Sequence, residues 1–201
     1  MDFQDKKILY KVRKTIIEMI NDRGYNIPEV ENLTFEQFMI KYNNKNLDIY
    51  IDDKEKNQKL YIHFYNELKN FSKSDLKAIM QKIIAEYQDE DINIILLLRE
   101  KENSAVTKEL NKPSLKNVEI FLKNNMIFNI THHELVPKHI ILTSDEEKEI
   151  LERYNTTKGK LPKISTSDPI VRYYGMKTNQ ICKIIRKSPE VGNYIYYRLV
   201  R

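Results

Sequence analysis

Ile92-Asn93-Ile94-Ile95-Leu96-Leu97-Leu98 is a short, nearly unbroken apolar run that stops at Arg99. It is far shorter than the roughly 20 apolar residues of a membrane span. Its length and branched side chains suit a strand buried on both faces, inside a sheet covered by helices. Just upstream, Ser72-Lys73-Ser74-Asp75 starts a helix in which Leu76, Ile79, Met80, Ile83 and Tyr87 share one face. Before that, Leu47, Ile49 and Ile51, then Leu60, Ile62 and Phe64, alternate with other residues, and the polar stretch Asp52 to Gln58 suits a hairpin connection. Downstream, Lys101 to Asn103 is a polar break, Ala105 to Leu110 a short helix and Val118 to Leu122 a further strand. A strand pair, a crossover helix and a buried strand predict a mixed α/β layer.

The ends of the chain are organised around that layer. Ile8, Leu9, Val12, Ile16, Met19 and Ile20 recur at helical spacing, and Gly24 falls where a helix C-cap belongs. Thr34-Phe35-Glu36-Gln37 has the capping-box arrangement, predicting a short helix from Phe35 towards Tyr42. In the last third, Ser144 with Glu147 reads as another capping box, with Glu146, Glu147 and Glu149 in the first turns of a helix running to Tyr154. Asp168-Pro169 supplies an N-cap and a proline at the first helical position, and Gly175 closes a short helix carrying Arg172, Tyr173 and Tyr174. Ile181 to Arg186 and Tyr194 to Val200 alternate as two strands of a terminal hairpin joined through Ser188 to Asn193. Alternation places Ile195, Tyr197 and Leu199 inward and Tyr194, Tyr196 and Arg198 outward. The division expected is an α/β domain over residues 1–130 and a small α+β domain over 131–201.

A chain of 201 residues with 41% hydrophobic and 10% aromatic content can close a core. The opening Met1-Asp2-Phe3-Gln4-Asp5 lacks the basic and apolar regions of a secretory signal, so an intracellular location is expected. The single Cys182 excludes an internal disulfide and a multi-cysteine zinc site, and reads as a buried strand residue. The net charge of +5 is concentrated late: residues 1–130 hold 21 basic and 21 acidic side chains, residues 131–201 hold 13 and 8. An N-terminal domain of zero net charge gives no strong polyanion signal.

Three constellations bear on chemistry. His132, His133, Glu134 and His139 fail as a zinc motif, because the position four after His133 is Pro137, which offers no ligand and breaks the helix such a motif requires. Asp48, Asp52, Asp53, Lys54 and the Glu55-Lys56 pair raise a nuclease-like magnesium site, yet the next strand places Tyr61, His63 and Tyr65 where a further carboxylate and lysine belong. With four glycines there is no glycine-rich phosphate loop, and Cys182 has no histidine close in sequence. No catalytic residue, metal or cofactor is therefore assigned. Residues 162–201 are the better candidates: eight Lys or Arg stand against Asp168 and Glu190, interleaved with Tyr173, Tyr174, Tyr194, Tyr196 and Tyr197. Tyrosine with arginine suits nucleic acid or an acidic protein groove.

The order of blocks in the last third is distinctive: His133-Glu134-Leu135-Val136-Pro137-Lys138-His139, an acidic helix, Leu161-Pro162-Lys163-Ile164, Ser167-Asp168-Pro169-Ile170-Val171-Arg172-Tyr173-Tyr174-Gly175, then Gln180 to Arg186 and Tyr194 to Val200. This resembles the assembly domain of the fifth subunit shared by eukaryotic nuclear RNA polymerases, and the archaeal counterpart of that domain. Lys11-Val12-Arg13-Lys14-Thr15-Ile16 with Asn21-Asp22-Arg23-Gly24-Tyr25 resembles the opening helix of the eukaryotic protein's jaw domain. The resemblance implies a non-catalytic polymerase subunit, with a nuclease-like but inactive α/β jaw over 1–130 near downstream DNA and an α+β assembly domain over 131–201 docked on the largest subunit. It directs attention to Pro169, Arg172, Tyr173, Tyr174, Tyr194, Tyr196 and Arg198 as partner-binding residues. In the family a jaw loop bearing threonine-proline-serine-alanine approaches DNA; here the aligned stretch is Glu102-Asn103-Ser104-Ala105, so Asn103, Ser104 and Ala105 are the DNA-proximal candidates. Implied partners are the largest subunit, the rest of the polymerase and, weakly and without sequence preference, downstream duplex DNA; neither a membrane nor a small-molecule ligand is expected. The location implied is the nucleus of a cellular eukaryote, or the virion or host cytoplasm for a large DNA virus. A free-standing nucleic-acid-binding or nuclease-like protein is the rival reading, separable by the size of the native complex.

Overall fold

The computed structural model describes residues 3–44, 46–54, 56–67, 70–87, 92–188 and 192–201. It divides into two compact units, 1–128 and 129–201.

In the first unit the sheet order is β1-β2-β3-β4, with β1 (Ile49–Asp53) antiparallel to β2 (Gln58–Phe64) and β2, β3 (Asn93–Leu98) and β4 (Val118–Leu122) mutually parallel. β3 is central and buried on both faces, as its composition predicts. Ile94, Leu96 and Leu98 point to one side, where α3 (Lys73–Tyr87) and α4 (Ser104–Leu110) cover them with Leu76, Ile83 and Val106. The opposite face receives α1 (Phe3–Asp22), whose Arg13 and the nearby Arg23 place their guanidinium groups 5.9 and 5.8 Å from the rings of Phe64 and Phe121.

α1 buries Leu9, Val12, Ile16, Met19 and Ile20, the helical stripe read from sequence; Ile8, expected on it, is 39% exposed. Gly24, at φ +84°, ends the helix, with Tyr25 N–H donating back to Ile20 O at 3.1 Å. The stripe contains an unexpected member in Arg13, buried, paired with Glu31 and donating to Leu47 O at 2.9 Å. α2 (Phe35–Asn43) begins with the reciprocal Thr34/Gln37 capping box. Ser72 and Asp75 exchange a comparable pair of bonds at the start of α3.

In the second unit the sheet order is β5-β7-β8-β6, built from β5 (Lys138–Ile141), β6 (Lys163–Ile164), β7 (Ile181–Ser188) and β8 (Gly192–Val200). The connection Pro189 to Val191 lies outside the described residues. Two helices flank this sheet on opposite faces. α6 (Pro169–Tyr173) packs Val171 with Ile164, Met176, Cys182, Ile184 and Val200, while α5 (Ser144–Arg153) packs Ile150 with Leu142, Ile181 and Leu199.

One sequence expectation changes here. The N-cap of α5 is Thr143, whose box partner is Glu146, one residue earlier than the Ser144/Glu147 reading. Glu147 instead turns inward, where its carboxylate accepts Ile181 N–H at 2.7 Å and pairs with Lys158. Spacing alone could not separate the two boxes, because either frame puts a hydroxyl three residues before a glutamate. In the segment before β5, Ile130–His132 forms a 3-10 turn and Val136 N–H closes on His133 O.

Candidate functional site

The outward residues of the second unit are set by two local devices. At α6, Asp168 accepts from Ile170 N–H at 2.8 Å and Val171 N–H at 3.4 Å, and Pro169 occupies the first turn. Ile170, Val171 and Tyr173 are turned into the core, which leaves Pro169 and Arg172 exposed and Tyr174 half-buried. Gly175, at φ +63°, stops the helix, with Met176 N–H returning to Val171 O. Tyr173 is thus a core residue, 2% exposed, whose hydroxyl accepts from Asn129 at 2.9 Å. Sequence alone groups it with the surface anchors; the structure buries it, and Tyr174 lies half-buried against the cluster that holds Val171.

In the hairpin, Cys182 lies opposite Arg198, Ile184 opposite Tyr196 and Arg186 opposite Tyr194. Pairing parity puts these on the face that α6 covers. Tyr194, Tyr196 and Arg198 therefore share one face as expected, but it is a face that α6 packs on rather than one turned away from the core, and only Tyr196 is exposed while Tyr194 and Arg198 are half-buried. The Arg186 guanidinium lies 5.5 Å from the Tyr196 ring, and Tyr194 meets Tyr196 edge to face at 4.8 Å. The other face carries Ile195, Tyr197 and Leu199; Leu199 and Tyr197 pack with Ile181 and Ile150, but Ile195 is 47% exposed. Its expected inward role fails because α5 covers the Leu199 end of the hairpin rather than its far end.

His139, opposite Ile184 on β5, is buried beneath this face, with Nδ1 2.7 Å from Pro137 O. Burial pushes its pKa down, outweighing the opposite pull of Pro137 O and Asp168, and Arg186 and Arg198 add to the lowering. Burial likewise raises the Cys182 thiol to about 11. Among the described residues no group of three or more His, Cys, Asp or Glu is arranged to hold a metal ion.

In the first unit, Asn103 caps α4 by accepting Val106 N–H at 2.9 Å, and Asn103, Ser104 and Ala105 are exposed beyond the carboxyl end of β3. The Asp48 carboxylate, considered above as a metal ligand, accepts the Tyr61 hydroxyl at 2.8 Å and Phe64 N–H at 3.1 Å, and lies 2.9 Å from His63 Nδ1. Asp53 is buried, accepting Asn26 and Lys56 N–H. Asp52 and Lys54 are exposed at the turn and Glu55 lies outside the described residues. The carboxylates thus serve separate backbone and side-chain donors. A feature without a sequence signal is a cleft of about 800 Å³ past the carboxyl ends of β2, β3 and β4, lined by Ile8, Tyr42, Tyr65, Arg99 and Lys123 among others. Desolvation lowers the Lys123 pKa to about 8, with Arg99 contributing, and its ammonium donates to Tyr65 O and to Asn66 Oδ1 at 2.7 Å.

The described residues form an α/β unit and a small α+β unit that exposes Arg172 and Tyr196 among its surface residues. Residues 4–83 match the family model of the RNA polymerase Rpb5 N-terminal domain, and residues 128–200 that of the RNA polymerase Rpb5 C-terminal domain. The chain is 32% identical to a Dictyostelium discoideum protein named as a DNA-directed RNA polymerases I, II, and III subunit, covering 98% of both chains. A Caenorhabditis elegans protein named in the same way is 31% identical, over 96% of this chain and 95% of its own. The chain belongs to the Rpb5 family of DNA-directed RNA polymerase subunits.

Proposed function

We propose that the chain is a non-catalytic subunit whose residues 131–201 dock on the largest subunit of a multisubunit polymerase, while residues 1–130 form a lower jaw beside downstream DNA. The observation that carries this is the end-to-end match to relatives named as polymerase subunits, combined with exposed cations and tyrosines on a small C-terminal unit. A unit of this size gains from a permanent interface, typically about 800 Å² per partner. Pro169, Arg172, Tyr174, Tyr194, Tyr196 and Arg198 are the anchors proposed; Tyr173 supports them from the core. The exposed Asn103, Ser104 and Ala105 are the proposed approach to DNA. The site of action is the nucleus of a cellular eukaryote, or the virion or host cytoplasm of a large DNA virus.

Arg172→Ala tests the docking. An arginine near the centre of an interface commonly costs more than about 2 kcal/mol when truncated. Co-purification with the polymerase is therefore expected to weaken while the melting temperature of the free chain stays unchanged. Early melting, or normal assembly, removes Arg172 from the anchors.

A further inference from the structure

β8 is paired on only one side for most of its length. β7 accompanies it from Gly192 to Leu199, but on its outer side β6 reaches only Leu199 and Val200. The direction of each backbone group follows from the bonds at that end. Leu199 N–H donates outward to Pro162 O at 2.8 Å and Arg201 N–H outward to Ile164 O at 2.9 Å, whereas Val200 N–H turns the other way, to Gln180 O. Alternation then points the N–H and C=O groups of Asn193, Ile195 and Tyr197 away from β7. Among the described residues no strand pairs with them.

Open edges of this kind are normally blunted by lysine, proline or a bulge. Asn193-Tyr194-Ile195-Tyr196-Tyr197 contains neither lysine nor proline, and Ile195 and Tyr196 are 47% and 44% exposed. We infer that the outer edge of β8 is a strand-addition site, and that its occupant is an extended segment of a polymerase subunit in which acidic and apolar residues alternate. The alternation comes from the two faces of the hairpin. A segment added beside β8 places one set of side chains against Tyr194, Tyr196, Arg186 and Arg198, and the other against Ile195 and Tyr197. β8 itself carries one charged side chain, Arg198, on the first face, backed from β7 by Arg186, while Lys183 and Lys187 lie on the other face one strand further from the open edge. With no acidic residue on either strand, charge complementarity assigns acids to the first set. The Ile195 and Tyr197 side takes the apolar set. Nucleic acid fits less well, because an edge presents donors and acceptors alternately and a phosphate backbone only accepts.

The assignment rests on the docking reading, and one experiment separates the two. Backbone amide exchange is measured on the full chain free, assembled in the polymerase, and with an acetylated heptapeptide alternating valine with glutamate or aspartate. Strong new protection of the Ile195 and Tyr197 amides, both in the assembly and with the peptide, is expected. Ile195→Pro removes one outward N–H at a position where an edge strand tolerates proline, and is expected to keep its melting temperature and lose peptide binding. Should that variant melt early, exchange on the unaltered chain decides. Co-purification without protection of these amides overturns the edge site and leaves docking intact. Peptide protection in a chain that does not co-purify keeps the edge site and removes the docking reading. A concentration-dependent dimer abolished by Ile195→Pro identifies a second copy as the occupant and overturns the assignment. So does protection of the same amides by a single-stranded oligonucleotide but not by the peptide.

Discussion

Asp48 shows how one residue type supports opposite readings until its neighbours are known. Burial alone pushes its carboxyl up, but His63, the Tyr61 hydroxyl and Phe64 N–H outweigh this and hold it below the ordinary 3.8. A carboxylate with a depressed folded-state pKa contributes stability that is fully present above the unfolded value and is lost as pH falls through the folded one. Asp48→Ala is therefore expected to lower stability at pH 7 by about 2 kcal/mol, the range for hydrogen bonds to a charged group. Urea unfolding measures it, and the gap to the unaltered protein is expected to close in acid below 3.8. The same residue tests the absence of nuclease chemistry. Purified chain with Mg²⁺ or Mn²⁺ is expected to leave single- and double-stranded DNA intact, and cleavage that disappears in Asp48→Ala would overturn that.

At the scale of the element, helix starts are where the chain is most explicit and also where a frame error enters. Thr34/Gln37, Ser72/Asp75 and Asp168-Pro169 are each readable because a second residue at fixed spacing, Gln37, Asp75 or Pro169, marks which side chain is the N-cap. Thr143-Ser144 offers two, and the structure chooses Thr143 because Glu147 is required inside, under Ile181 N–H. Thr143→Ala is expected to cost about 1 kcal/mol, the usual value of an N-cap. Ser144→Ala, at an exposed first-turn position, is expected to change stability by no more than a few tenths. Thermal melting of the two variants side by side checks the assignment, and a larger loss in the Ser144 variant refutes it.

For the whole molecule, each unit closes its own core. The second has an apolar cluster on either face of its sheet, one under α6 and one under α5. Residues 129–201 expressed alone are expected to fold, with a cooperative thermal transition, and a non-cooperative melt counts against a self-sufficient core. The first unit, with basic and acidic side chains in balance, is expected to bind duplex DNA weakly as residues 1–130. Moderate salt is expected to abolish that binding, because phosphate neutralisation is its main source. Filter binding across a salt series measures it, and tight or sequence-selective binding contradicts the charge argument.

Sequence by itself determined the elements and the family. Ile92 to Leu98 is legible as a doubly buried strand because its apolar run leaves no polar face. The α1 stripe and the 130–201 blocks are legible because periodicity and residue order need no partner to be read. Tertiary structure decided which of two like residues turns inward. Tyr173 is fully buried while Tyr174 is only half-buried, Ile195 is left exposed although Leu199 on the same face is covered, and Arg13 joins an apolar stripe because Glu31 and Leu47 O receive it. The open edge of β8 was equally invisible in the chain, since an edge exists only once the neighbouring strand is known to end, and β6 ends after reaching Leu199 and Val200. Local pattern fixes a backbone's periodicity; burial and pairing are properties of what comes to lie beside it.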